Sequence, residues 1–301
     1  VNLTGFKKLN GSQILRENIT YILNTLKSCV DETEMRKKVL HIFNSKFYLD
    51  KKRIENLPIG LFGDFYSHEL SFVLINKNDY KNLKNIFDKC NLMIKKILVK
   101  SFLIGTNICN SKNKYNTFFQ IKIGKQNSKI FYFENNSLKN EESFKFGTEI
   151  IIKDIIKITS LKIETVINIL NKIEPISQIK DDDYLENEIF INDKFRKIKK
   201  KLIYDIALAR SKEISELILF KNINFKHYKD STKSIFLELN SKFTCEFLKE
   251  NLKKTFSHNR KFLINDNDDF SGDSIITAAN KIVHFGWKTE AIPISQSKRS
   301  L

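Results

Sequence analysis

The chain has 301 residues, 41% hydrophobic and 29% charged, which excludes a disordered polypeptide and leaves room for a sizeable core and two domains. No apolar run approaches the roughly 18 residues of a membrane span, and the opening VNLTGFKKLN lacks the apolar stretch of a signal peptide, so a cytoplasmic protein is expected. A net charge of +17 suits an anionic partner. The cations are nearly all Lys, though, whereas base readout and bidentate phosphate clamps favour Arg. The Lys-, Asn-, Ile- and Phe-rich bias of an AT-rich genome offers a competing explanation of the charge. The cysteines (Cys29, Cys90, Cys109, Cys245) have no metal-ligand spacing and are expected as reduced, buried thiols.

A short strand opens the chain. A helix that Ser12 would cap comes next, with Ile14, Leu15, Ile19, Ile22, Leu23 and Leu26 at helical spacing. Val39–Phe43 reads as a buried strand continued by Phe47–Asp50, with His41 as a core histidine. Leu57–Gly63 is the clearest turn, carrying one of three prolines and two of nine glycines. A strand at Leu70–Ile75 leads to a helix from Asp79 that places Leu83, Ile86, Phe87 and Cys90 on one face. Asn91–Val99 reads as the returning strand.

Thr117–Phe133, TFFQIKIGKQNSKIFYF, is the stretch around which the rest of the chain is organised. Two apolar runs, Phe118–Ile123 and Ile130–Phe133, flank a polar turn and predict a β-hairpin, with a third strand at Ser143–Phe146. Gly147-Thr148-Glu149 starts a helix bearing Ile151, Ile152, Ile155 and Ile156, and a shorter helix covers Ile163–Leu170. Glu174–Asn187, with Pro175 and Asp181-Asp182-Asp183, reads as a solvated acidic loop rather than a calcium site. Phe195–Phe220 is predicted as one long helix with Lys194, Arg196, Lys197, Lys199, Lys200 and Lys201 crowding its start. The helix dipole disfavours cations there, leaving either an anion site or a solvated face. A strand at Ser234–Leu239, a helix with Phe243, Phe247, Leu248 and Leu252, and a strand at Phe262–Ile264 come next. Asp273–Gly286 is a small-residue helix with Gly286 as its cap, and Trp287–Leu301 is expected as a loose polar tail.

Three features together resemble the bacterial cell-division protein family FtsA. The first is Val39-Leu40-His41 with Tyr48-Leu49-Asp50 and then Pro58-x-Gly60-Leu61-x-Gly63; the second is Asp88-Lys89-Cys90-Asn91-Leu92 after its helix. The third is the order of the hairpin, the Gly147-Thr148 helix start, ALARSKEISELI, LELNS and the terminal small-residue helix. The resemblance runs from about residue 1 to about residue 288. It implies an α/β, actin-like (ribonuclease H-like) two-domain fold with an inserted small α/β subdomain at 1–100. Residues 101–187 would complete the first domain and begin the second, 188–288 would form the second, and 289–301 a basic tail. Roughly the family's first fifth to quarter has no counterpart here. The membrane-binding amphipathic helix with which the family ends is not evident after Gly286.

The family's phosphate-loop acids align with Lys122 and Lys129, and of that loop's glycines only Gly124 remains. The adenosine turn reads Leu237-Glu238-Leu239-Asn240-Ser241 without glycine, so Glu238 and Leu239 would obstruct a nucleotide. The resemblance therefore implies a degenerate site at Gly124, Lys125, Asn127, Ser128, Asn240 and Ser241. ATP with Mg is the family's cofactor and none is expected here. Lys122, Lys125 and Lys129 would attract a polyphosphate only by charge. The expected function is a non-enzymatic scaffold that binds the FtsZ C-terminal peptide and other division proteins, with possible self-association. It would lie peripherally at the inner face of the plasma membrane, touching the membrane only through a helix not evident in this chain. Lys197, Lys200, Lys201, Lys249 and Lys253 are the expected contacts with the partly acidic peptide. Two other readings stay open: a basic nucleic-acid-binding protein, which the implied scaffold would not be, and an actin-like ATPase with an atypical nucleotide site.

Overall fold

The computed structural model describes residues 1–111, 114–174, 178–190, 193–228, 230–232, 234–239, 245–257, 263–266 and 272–291. The chain forms two compact units. The first gathers Val1–Asn116, Phe133–Asn140 and Phe270–Leu301; the second holds Thr117–Tyr132 and Glu141–Asp269. The division after Asn116 falls beyond the expected subdomain end near residue 100, and the last described helix returns to the first unit.

In the first unit, β1 (Asn2–Lys8), β2 (Lys37–Leu49), β3 (Lys52–Ile54) and β4 (Phe65–Asn76) form an antiparallel sheet of order β1-β4-β2-β3. Helix α1 (Arg16–Thr33) buries Ile22, Leu23, Leu26 and Val30 in a core shared with Phe47, Tyr66, Leu70 and Phe72. Ser12 does not cap it. The N-cap is Leu15, and Asn18 reaches back to accept the Leu15 amide at 2.7 Å. β2 is one long strand, interrupted near Leu40 and Ser45 by bulges, which is why it reads as two runs. Asp50 and Lys51 both have positive φ, the geometry of a two-residue hairpin turn, and the Asp50 carboxylate accepts the amides of Asp64 (2.9 Å) and Phe65 (2.8 Å).

One strand expected in this unit does not form. Helix α2 (Lys77–Lys89) forms, but no residue of it is buried, and 92–99 is irregular chain rather than a strand. Helix α3 (Lys100–Cys109), which periodicity did not reveal, is buried nearly throughout; a Cβ on Gly105 would collide with the Phe133 ring. The first residues of the expected loose tail are fixed. Thr289 O accepts from Asn44 N (2.7 Å), Ala291 N donates to Ile42 O (2.8 Å), and Trp287 Nε1 donates to Asn136 O (2.8 Å). His41 is a satisfied core histidine, its Nδ1 3.0 Å from the Glu290 carboxylate. Cys29 and Cys90 are exposed rather than buried; burial pushes the Cys109 thiol up to about 12.

In a second sheet, most of whose residues belong to the second unit, β5 (Phe118–Ile123), β6 (Ser128–Glu134) and β7 (Ser137–Phe144) are successive neighbours. β8 (Ser234–Leu239) and β9 (Leu263–Asp266) continue the sheet in parallel, giving the order β7-β6-β5-β8-β9. A meander leading into parallel strands is the order expected of an actin-like α/β domain. β7 begins six residues earlier than expected because Asn135 and Asn136 both adopt positive φ and make a two-residue turn. Helices α4 (Glu149–Thr159), α5 (Ile163–Lys172), α6 (Lys200–Ser215) and α7 (Glu246–Ser257) cover the sheet, with Ile151, Ile155, Val166, Ile203, Phe247 and Leu252 packed in one core with Phe119 and Ile121. α6 starts five residues later than expected and runs into a π-helical turn at Glu216–Phe220. Helix α8 (Gly272–Phe285) belongs to the first unit and ends at Gly286, whose φ of 73° makes it the expected cap. Pro175, Phe243 and residues 292–301 lie outside the described residues.

Candidate functional site

The C-terminal ends of parallel strands are where an α/β sheet presents a ligand site. At the ends of β5 and β8 stand Lys122, the turn 124–127, the start of α4 and Glu238. Gly124 N donates to Asn127 O at 2.9 Å and closes the turn. The turn then folds onto α4: Thr148 N donates to Gly124 O (3.0 Å) and Glu149 N to Lys125 O (2.9 Å). These are amides that a helix start leaves without intrahelical partners and that an anion would otherwise use. Gly147 is required by this approach, since a Cβ there would collide with the Gly124 carbonyl. Buried Ser128 adds a tie, its Oγ donating to Phe146 O at 2.7 Å.

The charges of the turn are met inside the chain. Lys122 and Glu238 occupy the same register on β5 and β8 and form an ion pair. Lys129 pairs with Glu141 at 3.0 Å, and Lys125 lies 3.9 Å from Glu149. Hydrogen bonds from Lys153 (3.2 Å) and Gln126 (3.1 Å) hold the Glu149 carboxyl below its usual range, so a carboxylate already complements the α4 dipole. Glu238, expected only as an obstruction, is thus the ion-pair partner of Lys122.

Mg-ATP does not fit these residues. The metal would need carboxylates free of lysine, and the phosphates would need free amides. Glu238 is paired with Lys122 and Glu149 with Lys153, while the Thr148 and Glu149 amides are spent on carbonyls. Among the described residues no group of His, Cys, Asp and Glu is arranged to hold a metal ion. Gly124, Lys125, Asn127 and Ser128 are brought together in the turn; Asn240 and Ser241 lie outside the described residues.

The lysines expected to meet a partner have contacts within the chain. Lys194–Lys199 precede α6 in an extended segment that pairs with the acidic loop through Leu185 N to Ile198 O (2.9 Å) and the Tyr184–Lys199 bridge. Lys194, Arg196 and Lys197 thus lie ahead of the helix, whereas Lys199 is its N-cap and Lys200 and Lys201 stand in its first turn against the dipole. Lys199 meets Asp182 (3.2 Å), Lys200 meets Glu174 (3.3 Å), Lys201 meets Asp181 (2.6 Å), and Lys197 lies over the Tyr184 ring. Lys249 pairs with Glu246 at 3.1 Å, and Lys253 is half-buried on α7. Sequence reasoning missed a groove of about 320 Å³ between α6, the π-helical turn and α7. Its floor is Leu208 and Phe220, and Lys212 and Lys254 stand at its sides with Glu216, whose carboxyl is held low by Lys221 at 2.7 Å. The signal was a π-helical turn, which no residue periodicity announces.

No family model and no curated protein matches the chain. Solved structures do. MreB5 of Spiroplasma citri bound to AMPPNP is 14% identical over 69% of this chain, with a TM-score of 0.47. The PilM–PilN type IV pilus biogenesis complex is 7% identical over 93% of this chain and 73% of the other, with a TM-score of 0.39. An archaeal actin homolog is 11% identical over 64% of this chain and 55% of the other, with a TM-score of 0.40. The match spans 65% of the MreB5 chain, less than two thirds of its length. These likenesses carry nothing about the chain's chemistry.

Proposed function

We propose that this chain is an actin-like scaffold of bacterial cell division, similar in role to FtsA, that works by binding and does not turn over ATP. The observation that carries the reading is the self-satisfied turn beside β5 and β8. Lys122 is spent on Glu238, and the first α4 amides are spent on Gly124 and Lys125. A site whose acids and donors already serve one another has no group left to position a metal or an attacking water. The division role rests on the sequence resemblance, through the 39–63 segment and the order of the later elements.

Within this reading the groove between α6 and α7 is the better seat for the FtsZ C-terminal peptide than the paired lysines. Leu208 and Phe220 offer an apolar floor, and Lys212 and Lys254 complement a partly acidic peptide. Other division proteins would use residues 1 to about 100, and the site of action is the inner face of the plasma membrane at the division site.

The test is a titration of the full chain with a labelled FtsZ C-terminal peptide at low and at moderate salt. Saturable binding that survives moderate salt and weakens at least tenfold in a Lys212→Glu, Lys254→Glu variant supports the reading. Absence of saturable binding, or Mg-dependent release of phosphate from ATP that Lys122→Ala abolishes, overturns it.

A further inference from the structure

Ten cations of the second unit have a carboxylate partner among the described residues, whereas one segment of the first unit has almost none. Residues 77–96 carry six lysines against two aspartates. Lys96 pairs with Glu290 at 2.8 Å. Among the described residues Lys77, Lys81, Lys84, Lys89 and Lys95, all exposed, have no carboxylate partner. Lys38, then Lys84, beside the half-buried Tyr80 hold its phenol below the usual range.

The same segment exposes apolar side chains. Helix α2 is tied to the body at its start, where Lys77 N donates to Arg36 O at 2.8 Å and Tyr80 and Leu83 are half-buried. Its second half projects Ile86 (60% exposed) and Phe87 (37%). The helix stops in a left-handed turn at Asn91, φ 55°, with Asn91 N donating to Asp88 O and Leu92 N to Phe87 O, each at 3.0 Å. That motif turns the chain back over the last helical turn, so Leu92 (56% exposed) and Met93 (81%) extend the apolar end of α2. Leu83, Ile86, Phe87 and Cys90 recur at i, i+3, i+4 and i+7 on one face, and the lysines occupy the remainder.

We propose that α2 and the Leu92–Met93 turn form a contact surface for an anionic lipid bilayer, with Ile86, Phe87, Leu92 and Met93 entering the headgroup boundary and the unpaired lysines facing acidic headgroups. A low-hydrophobicity helix with a lysine-rich face and a Phe/Leu/Ile face is the pattern that lies in a membrane interface. The apolar side chains sit on a projecting element. A deformable bilayer accommodates such a ridge, whereas a rigid protein partner would need a matching groove. A second copy of a chain of net charge +17 would bring like charge to the same surface. The lysine stems can lie along the interface while the ammonium groups reach the phosphates.

The experiment is sedimentation of the full chain with phosphatidylglycerol–phosphatidylcholine vesicles and with phosphatidylcholine vesicles alone, across a salt series. Binding is expected to the anionic vesicles only, and each Lys→Glu change at Lys81, Lys84 or Lys89 is expected to weaken it at least about fivefold. Ile86→Asp with Phe87→Asp is expected to abolish it. These positions are exposed, and circular dichroism of each variant checks the fold. Phe87→Trp supplies a second readout, a blue-shifted emission on anionic vesicles. Binding unchanged by the Ile86 and Phe87 changes overturns the proposal. So does no vesicle binding accompanied by self-association, or by RNA binding, that the lysine changes remove.

Discussion

Lys122 and Glu238, 116 residues apart, stand at the same register of two parallel strands and close an ion pair just before the 124–127 turn. Replacing Lys122 by Ala leaves a half-buried carboxylate without its partner. We expect a loss of about 1–3 kcal/mol by urea unfolding, with part of it recovered in Lys122→Ala, Glu238→Ala. A coupling of about 1 kcal/mol is expected from the complete cycle. Additive effects would show that the pair contributes nothing.

Mg-ATP is expected to leave the melting temperature unchanged. Nucleotide at a hundred times its Kd would add about 2.7 kcal/mol and move the transition by several degrees. A shift of that size would reopen the nucleotide site.

Gly147 is expected to tolerate no side chain. Gly147→Ala drives a methyl into the Gly124 carbonyl, and either the turn or α4 must move. The predicted cost is about 1–3 kcal/mol, read as a lower urea midpoint. Gly272, where nothing crowds an added Cβ, is the control expected to accept Ala without loss.

Acid is expected to weaken the first unit in two stages. His68 is buried between Phe47 and Tyr66, neither ring nitrogen has a partner among the described residues, and burial lowers its pKa from 6.5 to about 4. The folded state resists the proton that the unfolded state accepts. Stability is therefore full above about pH 6.5 and falls between there and about pH 4, by roughly 3 kcal/mol in all. His68→Phe should flatten that limb.

Glu290 supplies the second stage. Burial alone would raise its pKa, but hydrogen bonds from His41 and Lys96 outweigh burial and hold the carboxyl below its usual 4.5. Its contribution is present above pH 4.5 and is lost as pH falls through the lowered value. Glu290→Gln should remove the lower limb and spare the upper. The single Trp287, hydrogen-bonded to Asn136 O, should report both through its emission.

How much of the structure was legible in the sequence depends on the range of the physics involved. The hairpin, β8, α4, α5 and α8 are announced by local periodicity and by Gly147 or Gly286 at their ends. β7 was placed late because two asparagines in left-handed conformation turn a chain as well as Asn-Gly does. The Asn91–Val99 run is apolar enough for a strand but finds no neighbour, and strand formation is decided by pairing. At the candidate site the absence of acids at Lys122 and Lys129, and of glycines other than Gly124, could be read directly. The pairing of Lys122 with Glu238, and of the 199–201 lysines with Glu174, Asp181 and Asp182, could not be read. Opposite charges that meet across a fold leave no mark at short sequence range.

The docking of Thr289 and Ala291 on β2 also sets a schedule for synthesis. His41 and Glu290 are 249 residues apart, a distance the ribosome covers in about 12–50 s at typical elongation rates. During that interval β2 waits with an open edge around Ile42 and Asn44, while the second unit can emerge and fold in full. The nascent chain is thus most exposed to strand-edge aggregation before residues 289–291 arrive. A chaperone that shields this edge would help most before that segment emerges and little once it has docked.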